Sequence, residues 1–380
     1  MKKQVSHPIV FIHFHPLELY PPICNLLDYV TINGGDKIIV ITTEIDKGKK
    51  LQTCNNFSEK IIIKRAPGIF PTSRIRLFSY LLFYLNCLRL LLKHQPKSVL
   101  YFDTISSWPA LVYKRMKGTA VKLLVHYHEY VSPREYAENM FLVKTMHRQE
   151  TKMYSHSYHW ISQTNEVRLQ KMITDNHLES TNQSLFHIMP NYPSKYWAKE
   201  KTSFNSSSKV RLVYIGSLGF DTMYLKELVE WVLHNKSSLS LDLYAYNIGK
   251  HAKMFLESIN DDGVVLHNGC NYKELPAILK NYDVGLVIYK PVAENWIQNA
   301  PNKVFEYLAC GLDVWFSKTI TYTLSIARKN VYPKIIPVDF DNLKEFNIQK
   351  AIARDGINLK ANDFFYENVY GEIYKSLSEA

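Results

Sequence analysis

The sequence predicts an α/β protein built from two doubly wound, Rossmann-like domains facing a cleft. Three observations predict it. Continuous apolar runs such as KIIVIT (37–42), SVLYF (98–102) and VKLLVH (121–126) alternate with helical stretches, the pattern of parallel strands covered on both faces. That alternation halts around Pro190, Pro193 and a serine cluster at 203–208, then restarts with VRLVYI at 210–215. A chain of 380 residues is long enough for two cores of ordinary size.

Each element follows from its own residues. Residues 8–14 form an apolar first strand, and a helix over 19–30 follows a proline-rich turn. Strands are expected at 37–42 and 61–64, then an apolar helix over 77–92 and a strand at 98–102. A short helix over 108–116 leads to the strand 121–126. One long amphipathic helix is expected over 135–154, with strands at 158–162 and 186–189 closing the first half. In the second half, strands are expected at 210–215, 239–244, 264–266, 284–288 and 313–316. Helices are expected over 225–233, 254–258 and 273–281, and from 302 onward. The boundaries are drawn at 1–200, 201–360 and a closing helical segment at 361–380.

Composition narrows the function. The chain is 46% apolar and 21% charged, without internal repeats, as in a globular protein. Lys and Arg number 46 against 35 Asp and Glu, a net charge of +11 that favours phosphorylated ligands or an acidic membrane surface. No nucleic-acid-binding motif accompanies the charge, so nucleic acid is not an expected partner. The five cysteines are odd in number and far apart, which reads as unpaired thiols in a reducing compartment. The first ten residues reach their apolar positions only as a short strand, so no secretion signal is expected. The apolar stretch 77–92 spans about 24 Å as a helix, short of a roughly 30 Å hydrocarbon layer. It is therefore read as a buried or membrane-surface helix.

In doubly wound sheets, ligands sit beyond the carboxyl ends of the strands. That rule selects His13, His15, Asp103, Thr104, His126, His128 and Glu129 in the first half. In the second it selects Gly216, Ser217, Tyr244, Tyr246, Asn247, Asn268, Gly269 and residues 299–306. The run His126-Tyr127-His128-Glu129 offers acid–base groups or partners for sugar hydroxyls, or polar caps for the next loop. The sequence offers it no third firm ligand, so no metal is expected. Gly216-Ser217-Leu218-Gly219 departs from GxGxxG, which disfavours a nicotinamide enzyme. The stretch APNKVFEYLACGLDV (300–314) puts Lys303 and Glu306 on the first turns of a helix. Its loop presents free N–H groups and the positive end of the helix dipole, which suit a phosphate. The plainer alternative is a surface helix with an incidental Lys–Glu pair.

Taken together, VYIGSL (213–218), residues 264–271 and PNKVFEYLACG (301–311) resemble the nucleotide-sugar-binding domain of GT-B glycosyltransferases, most closely the family 4 or group 1 type. His128-Glu129-Tyr130, the junction IMPNYP (188–193) and residues 362–377 extend the resemblance to most of the chain. It implies that 1–200 is an acceptor-side domain, that 201–360 binds a UDP- or GDP-sugar, and that 361–380 crosses back to the first domain. It implies sugar transfer to an acceptor hydroxyl, retaining and metal-independent, in assembly of a bacterial surface polysaccharide or glycoconjugate, with no tightly bound cofactor.

By the same resemblance, Lys303, Gly216, Ser217 and the backbone of Asn299 to Asn302 hold the diphosphate. Glu306 takes the ribose hydroxyls, and Tyr272 or the loop from Asn268 takes the base. His128, with Glu129 behind it, meets the donor sugar or acceptor. The acceptor is a glycan or lipid-linked, which implies a cytoplasmic protein, peripheral on the inner face of the plasma membrane. Residues 77–92 and 144–152 are the segments expected to touch anionic lipid. The sequence departs from the family pattern at Asn299, where an acid is usual, and at Ser217, where an arginine is common. Those departures keep open a catalytically silent nucleotide-sugar-binding subunit that partners an active transferase; a nucleotide-sugar epimerase is the other alternative, and because it needs several acidic residues in the cleft, Asn299 counts against it.

Overall fold

The computed structural model of the protein describes residues 7–44, 57–67, 73–198, 209–353, 358–359 and 362–379. The serine cluster at 203–208 and Cys54 lie outside them. The chain divides into two compact units, Met1–Pro190 with Tyr366–Ala380, and Asn191–Phe365. The division therefore falls at Pro190 rather than at the expected 200.

The first unit opens with β1 (Ile9–His13), α1 (Pro21–Asn33), β2 (Ile38–Thr43), β3 (Ile61–Ala66), α2 (Ser73–His94) and β4 (Ser98–Phe102). Then come α3 (Ser107–Lys117), β5 (Lys122–Tyr127), α4 (Pro133–Glu138), α5 (Phe141–Thr151), β6 (Trp160–Gln163), α6 (Glu166–Asp175) and β7 (Phe186–Ile188). Its seven strands are all parallel, in the order β3-β2-β1-β4-β5-β6-β7. Val10, Ile12, Ile39, Val99, Leu123 and Ile161 are fully buried between the helix layers, which explains the near-continuous apolar strands.

The single helix expected over 135–154 is two. Ser132 and Glu135 form a capping box that starts α4, and extended backbone at Asn139 and Met140 ends it before α5. Helix α2 is longer than expected and only half buried. Tyr80, Phe83, Tyr84, Cys87 and Leu91 enter the core, while Leu77, Phe78, Leu81 and Leu85 face outward. No helix among the described residues is long and apolar enough to cross a membrane.

The second unit contains β8 (Val210–Ile215), α7 (Leu225–His234), β9 (Leu239–Ala245), α8 (Lys250–Glu257), β10 (Val264–Asn268), α9 (Leu275–Leu279), β11 (Val284–Val287) and α10 (Glu294–Ile297). It continues with α11 (Asn302–Ala309), β12 (Asp313–Ser317), α12 (Thr321–Ser325), β13 (Val331–Tyr332), β14 (Ile335–Val338), α13 (Ile348–Ile352) and β15 (Asn358–Leu359). Six strands form a parallel sheet, β10-β9-β8-β11-β12-β14.

The last helix, α14 (Tyr370–Ser378), belongs to the first unit. There Ser98 Oγ donates to the Leu377 carbonyl at 2.7 Å, and the Tyr374 hydroxyl donates to Asp36 at 2.8 Å. Cys24 is disulfide-bonded, while Cys87, Cys270 and Cys310 are free. This corrects the expectation of unpaired thiols throughout, because spacing along the chain does not report distance in the fold.

Candidate functional site

In the second unit the strand order reverses between β8 and β11, the switch point at which doubly wound sheets take ligands. Three pieces of sequence meet there. The first is the turn after β8, where Gly216 has φ +142°, a region that side chains rarely adopt. A Cβ at Gly216 would lie 3.0 Å from Lys303 Nζ, so glycine here also admits the lysine. The second is α11, whose Tyr307 hydroxyl accepts from the Ile215 N–H at 3.2 Å and ties the helix to β8. The glycine at 285 in β11 makes room for the Tyr307 ring. The third is Tyr289, just past β11.

Lys303 Nζ donates to the Tyr289 hydroxyl at 2.7 Å and to the Tyr214 hydroxyl at 3.3 Å. It lies 4.8 Å and 4.5 Å from the two ring centroids. Tyr214 in turn donates to the Ser217 carbonyl at 2.8 Å, so lysine, tyrosine and turn are held as one unit. Burial works against the ammonium, but the two tyrosine oxygens outweigh it and its pKa is raised. No carboxylate lies within ion-pair distance of Lys303 among the described residues. The N–H groups of Asn302 and Lys303 open α11 without an acceptor among the described residues, and Val304 makes the first helical bond, to the Pro301 carbonyl at 2.9 Å. A charged lysine near free helix N–H groups is an arrangement whose chemistry suits an anion.

Glu306 is buried one turn further on. Burial pushes its carboxyl up to about 7, against the opposing pull of Lys303 and a hydrogen bond from Tyr272. Tyr272 therefore stands with Glu306, and its ring packs 4.8 Å from Trp197. Asn299 is half-buried in the loop ahead of α11, and Ser217 is exposed. The Gly216 N–H is spent on the Tyr244 carbonyl at 3.0 Å, so the turn cannot offer that donor to a phosphate. Asn268 ends the edge strand β10, exposed and two strands away from β8.

In the first unit the switch point lies between β1 and β4, and the polar residues beyond β1, β4 and β5 converge on it. His13, Asp103 and His128 each offer one ligand atom, all within 4.8 Å of one another. Among the described residues, neither ring nitrogen of His128 has a hydrogen-bond partner, and the His13 ring, drawn only weakly to the His15 backbone, makes no well-formed bond. Burial lowers the pKa of both rings, that of His128 to about 3, so both are neutral, the form that ligates metals or accepts protons. Asp103 has φ +56°, a strained conformation for a side-chain-bearing residue. The His128 N–H donates to its carboxylate at 2.8 Å, yet burial still lifts its pKa to about 7. Tyr20 covers the cluster, its ring 4.3 Å from His13 and 5.2 Å from His128.

Sequence reasoning paired His128 with Glu129 and found no third metal ligand. The fold supplies Asp103 instead, which could complete a three-ligand set. Glu129 turns away: its carboxylate is largely exposed and meets Arg168 at 3.4 Å. His126 Nδ1 shares a hydrogen bond with Ser162 Oγ at 3.0 Å. Sequence reasoning missed Tyr214 and Tyr289; both stand at or just past strand ends, where the carboxyl-end rule would find them.

Two parallel doubly wound units define a GT-B fold, and solved structures bear this out. The lipopolysaccharide outer core galactosyltransferase WaaB superimposes with a TM-score of 0.63 at 11% identity, covering 97% of this chain and 99% of that one. Sucrose-phosphate synthase from Thermosynechococcus elongatus gives 0.63 at 14% identity, covering 98% and 99%. UDP-GlcNAc 2-epimerase from Methanocaldococcus jannaschii gives 0.59 at 12% identity, covering 98% and 99%. At these identities the likeness is one of fold. No protein-family model matches the chain, and no curated protein matches it in sequence.

Proposed function

We propose that the protein is a glycosyltransferase that moves a sugar from a UDP- or GDP-sugar to an acceptor hydroxyl. The observation that carries this reading is Lys303: a charged ammonium without a carboxylate partner, set against Gly216 and the open N–H groups of α11. In the proposed reaction the departing nucleoside diphosphate gains negative charge, which Lys303 and the helix N-terminus stabilise without needing a metal. Glu306, assisted by Tyr272, takes the ribose hydroxyls, and the segment from Asn268 takes the base. His128, His13 and Asp103 of the first unit serve the sugar or the acceptor. The acceptor is a glycan or a lipid-linked one in surface glycoconjugate assembly, and transfer proceeds with retention.

The test is thermal stability across UDP, GDP and their sugars, followed by incubation of the sugar that binds with candidate acceptors. A ligand at about one hundred times its Kd adds roughly 2.7 kcal/mol, a readily measured shift. Absence of any shift at millimolar nucleotide would sink the proposal. Binding without release of nucleoside diphosphate would instead favour a silent binding subunit.

A second reading is nucleotide-sugar epimerisation. Its specific support is Asp103, a carboxyl lifted to about 7 beside two neutral imidazoles, a group able to exchange a proton near neutrality. Deuterium wash-in to the sugar from heavy water separates it from transfer.

A further inference from the structure

Three segments far apart in sequence bring metal-ligand chemistry to one point of the first unit. His13 ends β1, Asp103 follows β4 and His128 follows β5, and these three strands are consecutive in the sheet. The register pairs His13 with Phe102 and Phe102 with His126, so Asp103 and His128 emerge one and two residues beyond that row. One ligand atom from each of the three lies within 4.8 Å of the other two.

Each group is held in place. His128 is 5% exposed and its ring is stacked on Phe102, the planes 5° apart, with the His13 ring edge-on at 5.8 Å. Among the described residues neither nitrogen of that buried ring has a hydrogen-bond partner, a cost that a ligand at the site would remove. The half-buried Asp103 carboxylate is oriented by the His128 N–H at 2.8 Å and by the Glu129 N–H, as outer partners orient a metal-binding carboxylate. It makes no ion pair among the described residues. Arg168 donates instead to the His128 carbonyl and the Thr164 hydroxyl, each at 3.0 Å, and meets Glu129.

We propose that His13, Asp103 and His128 bind a divalent first-row transition ion, of which Zn²⁺ is the type. Two imidazoles and one carboxylate suit such an ion, whereas Mg²⁺ and Ca²⁺ take oxygen ligands. A water among the three groups would satisfy hydrogen bonds and leave the carboxylate charge uncompensated; a cation does both. Tetrahedral bonds of about 2.0–2.2 Å set ligand atoms about 3.4 Å apart, so closure from within 4.8 Å asks for roughly 1.4 Å at most between any two. Three protein ligands leave one position open to water or a hydroxyl, the pattern of a catalytic rather than a structural site. Only the occupant of that position, a hydroxyl of the sugar or the acceptor, rests on the glycosyltransferase reading. The diphosphate stays with Lys303 in the second unit.

The test is calorimetric titration of the full chain, stripped with a chelator, with Zn²⁺ alone, followed by zinc X-ray absorption of the loaded protein. One ion per chain is expected, with two imidazoles in its coordination shell. Asp103→Asn keeps an acceptor for the His128 N–H and tolerates the positive φ. That variant and His13→Gln should each weaken binding roughly tenfold or more. His267→Ala, which removes an imidazole paired with Asp242 in the second unit, should leave it unchanged. Circular dichroism without metal reports whether each variant is folded; should both first-unit variants misfold, the absorption spectrum of the parent chain decides. No saturable binding at micromolar Zn²⁺ overturns the proposal, as does a shell with fewer than two imidazoles. Binding kept in folded Asp103→Asn and His13→Gln but lost in His267→Ala overturns it in favour of a different site. Zn²⁺ binding by a chain that shows no nucleotide thermal shift refutes the glycosyltransferase reading and leaves the metal site standing; a nucleotide shift without Zn²⁺ binding does the reverse.

Discussion

Lys303→Met removes one charge and keeps the length and apolar stem of the side chain. An ammonium has three N–H donors. Two are committed to the Tyr289 and Tyr214 hydroxyls at 2.7 and 3.3 Å, which leaves one for a phosphate oxygen. Losing one charge-assisted bond costs about 1.5–3 kcal/mol, or roughly ten- to a hundredfold in affinity for a nucleoside diphosphate. The fold should survive, because both tyrosines stay packed and no buried carboxylate loses an ion pair. Calorimetric titration with the nucleotide found by thermal screening gives the Kd, and the uridine or guanosine nucleoside serves as a control. The expected result is a large loss for the diphosphate and little change for the nucleoside. An unchanged diphosphate Kd in a folded variant would refute the phosphate role, and an equal loss for the nucleoside would show that the variant had damaged the base or ribose contacts instead.

Gly216→Ala forces a side chain into φ +142° and against Lys303, a cost of about 1–3 kcal/mol; differential scanning should show a lower Tm, with weaker nucleotide binding. Glu306 has its pKa raised to about 7, so its folded form favours the proton: the stability this gives is full below the unfolded value near 4.5 and is lost as pH rises through 7. Glu306→Gln should therefore gain stability relative to the parent chain between pH 5 and pH 8, and a pH-independent difference would contradict the buried carboxyl. His128→Asn keeps hydrogen-bonding capacity but removes the neutral imidazole nitrogens that can accept a proton during the reaction or ligate a metal. It should lower kcat with the nucleotide Kd unchanged, because His128 belongs to the first unit and Lys303 to the second. Proton NMR of the product should show the donor's anomeric configuration; inversion would instead assign His13, His128 and Asp103 to general-base catalysis.

Much of the fold was legible because a parallel sheet buried on both faces demands uninterrupted apolar strands, and the chain supplies them at both switch points. The helices were less legible. The break at Asn139 is set by its extended backbone, where the Asn139 side chain accepts from the Met140 N–H at 2.8 Å, a local competition that the long amphipathic pattern conceals. Glu150 looks like a solvent-facing charge by sequence, yet it is fully buried and accepts from Tyr101 at 2.7 Å and Tyr127 at 2.8 Å. Those tyrosines lie on β4 and β5, so only their pairing reveals the contact.

The sequence by itself determined the fold class, the two-unit plan and the interest of Lys303 and Glu306, because periodicity and helix-start chemistry are local properties. Tertiary structure alone decided the company these residues keep. Tyr214 and Tyr289, distant in sequence, cradle Lys303 because β8 and β11 are neighbours in the sheet. Asp103 rather than Glu129 joins His128 because β4 pairs with β5 and a positive φ swings the carboxylate onto the next strand's end. The two faces of α2 were likewise set by packing: its residues are apolar almost all round, and only the core decides which half stays outside.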